Sequence, residues 1–242
     1  MSTIQWHIGC SGFHYKEWKG IFYPDKLAAT KWFDYYCRHF NTIELNVTFY
    51  RFPQLATLQG WYARSPERFL FAVKAPRLVT HYKKFDDCAG LLRDFYGAIG
   101  EGLKEKLGFV LFQLPPQLAY SEAMLQRIID SLNGSFSNTV EFRHDSWWRP
   151  EVYQQLAERH ISFCGISHPR LPDQVIINTP AVYYRFHGVP DLYRSAYATS
   201  KLEETAMQVL ADKTVAAAHI YFNNTAGPAA IANARWLIDR VQ

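Results

Sequence analysis

The chain reads as an α/β protein, built as a single closed (β/α)8 barrel of parallel strands. Three observations predict this. Short apolar strand-like runs alternate with helical stretches from end to end. There are eight such runs, and 242 residues shared among eight units leave about 30 for each, the size of a βα repeat. No linker, sequence repeat or low-complexity stretch interrupts the chain, so residues 1–242 are expected to form one domain.

The elements follow in order. A first strand over residues 4–9 leads to a helix over 26–39, with Leu27, Ala28, Trp32, Tyr35 and Tyr36 compatible with one face. A second strand, 42–46, precedes a helix over 54–64 that stops at Ser65-Pro66. The third strand is 69–74; Leu91, Leu92, Phe95 and Ile99 then recur at helical spacing within 86–100. The fourth strand, 107–113, is closed by Pro115-Pro116, and its helix spans 121–132 with Ser121 as N-cap and Asn133-Gly134 as the stop. The fifth strand, 139–143, leads to a helix over 150–160 with Pro150 in its first turn. The sixth, 162–166, is followed by a Pro-rich stretch without a clear helix, so the barrel is expected to be irregular around this unit. Strands over 181–187 and 217–223 precede helices over 201–212 and 228–241.

Composition bounds the function. With 48% hydrophobic and 20% charged residues, the chain is globular and long enough to build a core without staples. A net charge of +4 favours anionic ligands mildly and falls short of a dedicated nucleic-acid domain. The four cysteines, Cys10, Cys37, Cys88 and Cys164, form no C-x-x-C pair, which fits reduced thiols in the core and a cytoplasmic protein. Met1 to Trp6 lacks the basic start of a secretory signal, and no apolar run reaches about 18 residues. No membrane association is therefore expected.

In parallel barrels the active site forms at the C-terminal ends of the strands. Seven of the eight strands turn polar there. Since successive strand residues face opposite ways, Glu44 pairs in facing with Asn46, Glu141 with Arg143, and Arg185 with His187. With Lys74, Gln113 and Asn223 these residues would line one pocket, three cations against two carboxylates. Buried charges must pair or bind a charged ligand, and Arg grips carboxylate or phosphate bidentately. Glu44 or Glu141 would act as general base, and His187 or Lys74 as acid or electrophile. Asn46, Gln113, Arg143, Arg185 and Asn223 would hold the substrate, with Tyr15 and Trp18 at the rim. Glu141 could pair with either Arg143 or Arg185. Glu44, Glu141 and His187 could also hold Mn, Zn or Fe, but the nearby cations argue against a metal, and no cofactor is expected.

These residues lie in a wider pattern. The segments are Gly9-Cys10-Ser11-Gly12-Phe13 with Tyr15, Trp18 and Tyr23-Pro24; Phe40 to Asn46 with Thr48-Phe49-Tyr50; Phe71-Ala72-Val73-Lys74-Ala75 with Thr80-His81; Gln113-Leu114-Pro115-Pro116; Val140-Glu141-Phe142-Arg143-His144 with Ser146-Trp147; Tyr184-Arg185-Phe186-His187-Gly188; and Phe222-Asn223-Asn224. In them the chain resembles the YecE-like family, a domain of unknown function. The resemblance implies a TIM-type barrel and no particular reaction. Members often carry an acidic residue near the end of the sixth strand, where this chain has Cys164-Gly165-Ile166-Ser167.

The reading expected from the residues is an enzyme of the isomerase, lyase or hydrolase kind, working by acid/base chemistry on a small phosphorylated or carboxylated substrate. One alternative is nucleic-acid binding or phosphodiester processing, suggested by basic residues among aromatics (Tyr15, Lys16, Trp18, Lys19, Tyr82, Lys83, Lys84, Trp147, Trp148, Arg149). Another is a non-catalytic metabolite-binding protein using the same pocket. The sequence assigns no oligomeric state.

Overall fold

The computed structural model describes residues 4–241. The first three residues, read above for a leader segment, lie outside them. All eight expected strands are present: β1 (Gln5–Cys10), β2 (Thr42–Leu45), β3 (Leu70–Lys74), β4 (Leu107–Gln113), β5 (Asn138–Glu141), β6 (Ser162–Ser167), β7 (Ala181–Phe186) and β8 (Ala217–Phe222). They join in the order β1-β8-β7-β6-β5-β4-β3-β2, sequential around the ring, and Ser11 bridges Glu44 in parallel where β1 runs out. This is the strand order of a (β/α)8 fold. β2, β5 and β6 are buried throughout, as parallel strands covered on both faces must be.

Two compact units are distinguishable. The first comprises Met1–Glu44 with Gly165–Gln242. In it β1, β8 and β7 pair in parallel register, with Ile8 and Tyr184 both opposite Ile220. Its helices are α1 (Trp32–Tyr36), α7 (Thr199–Ala211) and α8 (Ala229–Val241). The last buries Ile231, Ala234 and Leu237 at helical spacing. The second unit, Leu45–Cys164, holds the parallel ladder β3-β4-β5. It carries α2 (Val47–Tyr50), α3 (Leu55–Arg64), α4 (Ala89–Leu103), α5 (Glu122–Ser131) and α6 (Pro150–Ala157). Ser121 caps α5 as expected, its hydroxyl accepting from the Met124 amide at 3.2 Å.

Two stretches depart from the sequence reading, and a third follows it. Residues 26–39 do not form one helix. A 3-10 turn at Ala29–Lys31 precedes the five-residue α1, because Trp32 stacks face to face on Tyr23 at 4.7 Å and Tyr36 spends its hydroxyl on the Cys10 amide at 2.7 Å. Aromatic packing decides this segment, not helical period. The chain after β3 winds into a π-type turn at Leu78–Tyr82, which no periodicity announced. After β6 no helix forms; Gln174 folds back to bridge Ile166 antiparallel. Gly165 permits that return, since a Cβ there would lie 2.7 Å from the Gln174 carbonyl oxygen. The expected irregularity of the sixth unit is thus present.

Gly9 has a similar role in β1. A Cβ there would sit 2.3 Å from the Thr42 carbonyl oxygen, a backbone atom that cannot swing aside. Gly9→Ala should therefore destabilise the protein by about 1–3 kcal/mol or more, the usual cost of overpacking. A thermal melt checks this, and a variant melting with the wild type would show that the strands can spread.

Stability should also fall in mild acid. His7 and His219 stack at 4.5 Å as register partners on β1 and β8, with Tyr183 parallel to His219 at 6.4 Å. Burial holds both imidazoles below the ordinary value of 6.5, and for His219 the neighbouring His7 adds to the effect. Below about pH 6.5 the unfolded chain therefore takes up protons that the folded chain refuses, so stability present at neutral pH is lost as the pH drops. The Tm should decline from pH 7 to pH 5, and His219→Phe should flatten that decline. An unchanged slope in the variant would remove the pair as its source.

All four cysteines are free thiols in buried positions. Among the described residues, no helix is long and apolar enough to cross a membrane.

Candidate functional site

The strand-end residues expected to face a pocket make a cluster of contacts within each unit. In the second unit, β3 delivers Lys74 and β4 delivers Gln113 on adjacent strands. The Lys74 ammonium donates to Gln113 Oε1 at 2.5 Å, while Gln113 Nε2 donates to the Leu114 carbonyl at 3.1 Å. The second bond orients the amide so that its oxygen faces the lysine. The ammonium also lies 4.1 Å from the centre of the Phe49 ring. Thr48 Oγ1 donates to the Lys74 carbonyl at 2.6 Å and ties the short α2 to the end of β3. At the end of β5 the wholly buried Glu141 carboxylate contacts the Arg143 guanidinium directly. Asn46, just past β2, keeps its Oδ1 buried with no hydrogen bond among the described residues.

The π-type turn adds a residue that the sequence analysis did not place in the site. His81 is half-buried, its Nδ1 2.8 Å from Thr80 Oγ1 and its ring edge-on to Phe49 at 5.1 Å. Burial, then the charges of Lys74, Arg143 and Arg77, push its pKa down to about 4. The imidazole is therefore neutral at pH 7 and sits in the field of three cations. Strand parity could not find His81, since it lies seven residues past Lys74 in a turn. Its membership of the Thr80-His81 motif was the only signal.

In the first unit Glu44 is the hub. It is fully buried and accepts from three donors: Ser11 Oγ at 2.7 Å, Tyr183 OH at 2.7 Å and Arg185 Nη2 at 2.6 Å. Arg185 and His187, both fully buried, follow on the same face of β7, with Arg185 Nη1 3.5 Å from His187 Nε2. His187 Nδ1 lies 2.9 Å from the Asn223 side-chain amide. Parity thus assembled Glu44, Arg185, His187 and Asn223 correctly. It also left the partner of Glu141 open, and the structure pairs that carboxylate with Arg143. Tyr15 lies beside this cluster and gives its hydroxyl proton to the Ser11 carbonyl at 2.6 Å. Trp18 does not reach a rim: it is fully buried, and its indole N–H donates to the Gly227 carbonyl at 3.0 Å. Trp147 is buried too, bonded to the Leu118 carbonyl at 2.7 Å. Neither ring is free to stack on a ligand. His144 caps the turn after it, its side chain accepting from the Ser146 amide.

A carboxylate does reach the end of β6, from the following loop. Asp173 accepts from Ser167 Oγ at 2.7 Å and from Tyr184 OH at 2.5 Å, and pairs with Lys201 at 3.0 Å. The irregular loop thus brings an acid to the end of a strand that has none of its own. No group of three His, Cys, Asp or Glu side chains among the described residues is arranged to hold a metal ion.

Comparison with known proteins places this arrangement. The chain is 29% identical over 178 residues to the UPF0759 protein YecE of Escherichia coli O157:H7, a stretch covering 73% of this chain and 60% of that protein. It is 31% identical over 140 residues to the UPF0759 protein YunF of Bacillus subtilis strain 168, covering 55% of this chain and 50% of the relative. It thus spans less than two thirds of these relatives. The crystal structure of a DUF72 family protein from Thermotoga maritima MSB8 matches with a TM-score of 0.88 and 28% identity, covering 98% of both chains. That likeness establishes the fold as the TIM-type (β/α)8 class. The family described as protein of unknown function DUF72 matches residues 7–242, so the chain belongs to the DUF72 family.

Proposed function

We propose that this protein is an enzyme that moves a proton on a small phosphorylated or carboxylated substrate, with the Lys74 cluster as its working site. The observation that supports this reading is the neutral His81 amid Lys74, Arg143 and Arg77. An unprotonated imidazole is a ready proton acceptor at pH 7, yet with a pKa of about 4 it is a weak base. An arriving anion offsets the cations around it and raises its basicity, so the base is strengthened only once substrate is bound. In the tautomer whose Nδ1 donates to Thr80 Oγ1, Nε2 is the accepting nitrogen. Lys74 and Arg143 hold the anion and stabilise charge developing on the substrate. Glu141 orients Arg143, and Gln113 orients Lys74. The Glu44 cluster, with three donors satisfying its carboxylate, is read as an organising network for β7 and β8, with Arg185, His187 and Asn223 as its members.

The test follows the proton. The His81 ring signals, titrated by NMR with and without saturating inorganic phosphate, should show the midpoint rising from about 4 when phosphate is present. Incubation with small phosphorylated and carboxylated metabolites in D2O should then exchange a substrate hydrogen for deuterium. A midpoint indifferent to phosphate would sink the anion site. Binding without exchange would leave a non-catalytic binding protein.

A further inference from the structure

Exposed aromatic side chains that cluster can mark a binding surface, and tyrosine faces are well suited to flat ligands. In the second unit, Tyr50 at the end of α2 and Tyr82 at the end of the π-type turn are 66% and 65% exposed. Between them lies the Arg77 guanidinium, 5.6 Å from the Tyr50 ring centre and 5.5 Å from that of Tyr82. Both rings lie against this one guanidinium and remain largely exposed. This ladder is continuous with the anion cluster. Tyr50 meets Phe49 edge-on at 5.1 Å, and Phe49 carries the Lys74 ammonium at 4.1 Å and His81 at 5.1 Å. A cationic anchor thus lies two rings away from an exposed aromatic platform that holds its own cation.

Resting on the anion site proposed above, we infer that the substrate is a nucleotide-class molecule: a phosphate monoester held by Lys74 and Arg143, whose planar base stacks on Tyr50 or Tyr82. A phosphate alone leaves the platform unused, and a bare base leaves the cations unused. Only a ligand bearing both satisfies the two parts together. Base–aromatic stacking tolerates any base, so the platform selects the class and not the letter.

Isothermal titration with adenosine 5′-monophosphate, ribose 5-phosphate, adenosine and inorganic phosphate tests this. The nucleotide should bind about 5- to 150-fold more tightly than ribose 5-phosphate, the reach of one stacking contact. Tyr50→Ala and Tyr82→Ala sit on exposed positions and should keep the wild-type melting curve. At least one should lose most of that advantage while inorganic phosphate binds as before. Equal affinities for the nucleotide and ribose 5-phosphate would overturn the nucleotide assignment and leave the anion site standing. Absence of any phosphate binding would overturn both. An eight-nucleotide single strand binding more than tenfold better than the monomer, with a steep salt dependence, would replace the mononucleotide by a polymer.

Discussion

Arg185→Met should lower the unfolding free energy by about 3–5 kcal/mol, the cost of leaving one member of a buried ion pair without the other. The Glu44 carboxylate would keep Ser11 and Tyr183 as donors but lose its counter-ion in a place water does not reach. Removing both charges together, as Glu44→Leu with Arg185→Met, should recover much of the loss, because the expense lies in the uncompensated charge. Urea denaturation of the wild type, both single variants and the double variant reads the cycle. A single variant with the wild-type midpoint would show that the pair contributes nothing to the fold.

The second large effect concerns binding. Lys74→Met keeps a long unbranched side chain at this position and removes the charge that lies over Phe49. Affinity for inorganic phosphate should fall about tenfold or more, as expected for one charge-assisted hydrogen bond. The His81 midpoint should rise in the same variant, since one of the cations that depress it has gone. It should stay below 6.5, because burial is the larger cause and is untouched. A midpoint that stays at about 4 would show that Lys74 does not act on His81, and the site would need another anchor.

The two clusters were unequally legible. Glu44, Arg185 and His187 stand at strand ends, where a period of two and the position of the last apolar residue are enough to say which way a side chain points. The same rule found Lys74, Gln113, Glu141 and Arg143. It could not reach His81, Phe49 or the Tyr50–Arg77–Tyr82 ladder. Those residues lie in one-turn helical segments and loops after the strands, too short to show a period. Nor could it tell a rim aromatic from a core one: Trp18 and Trp147 stand in the same polar surroundings in sequence as Tyr82, yet both are wholly buried. Glu44 was expected as a base, and the structure surrounds it with three donors, a count that depends on Ser11, Tyr183 and Arg185 arriving from elements far apart in sequence.

The sequence by itself determined the eight βα units, their order, the weak sixth unit and the polar ends of the strands, because each rests on local period, turn chemistry and length. The tertiary structure alone decided which charge meets which. Glu141 contacts Arg143, and Lys74 settles on an amide oxygen and an aromatic face. Coulombic and hydrogen-bond energies depend on ångström distances and on the exclusion of water, and both are set only when strands and turns distant in sequence are packed together.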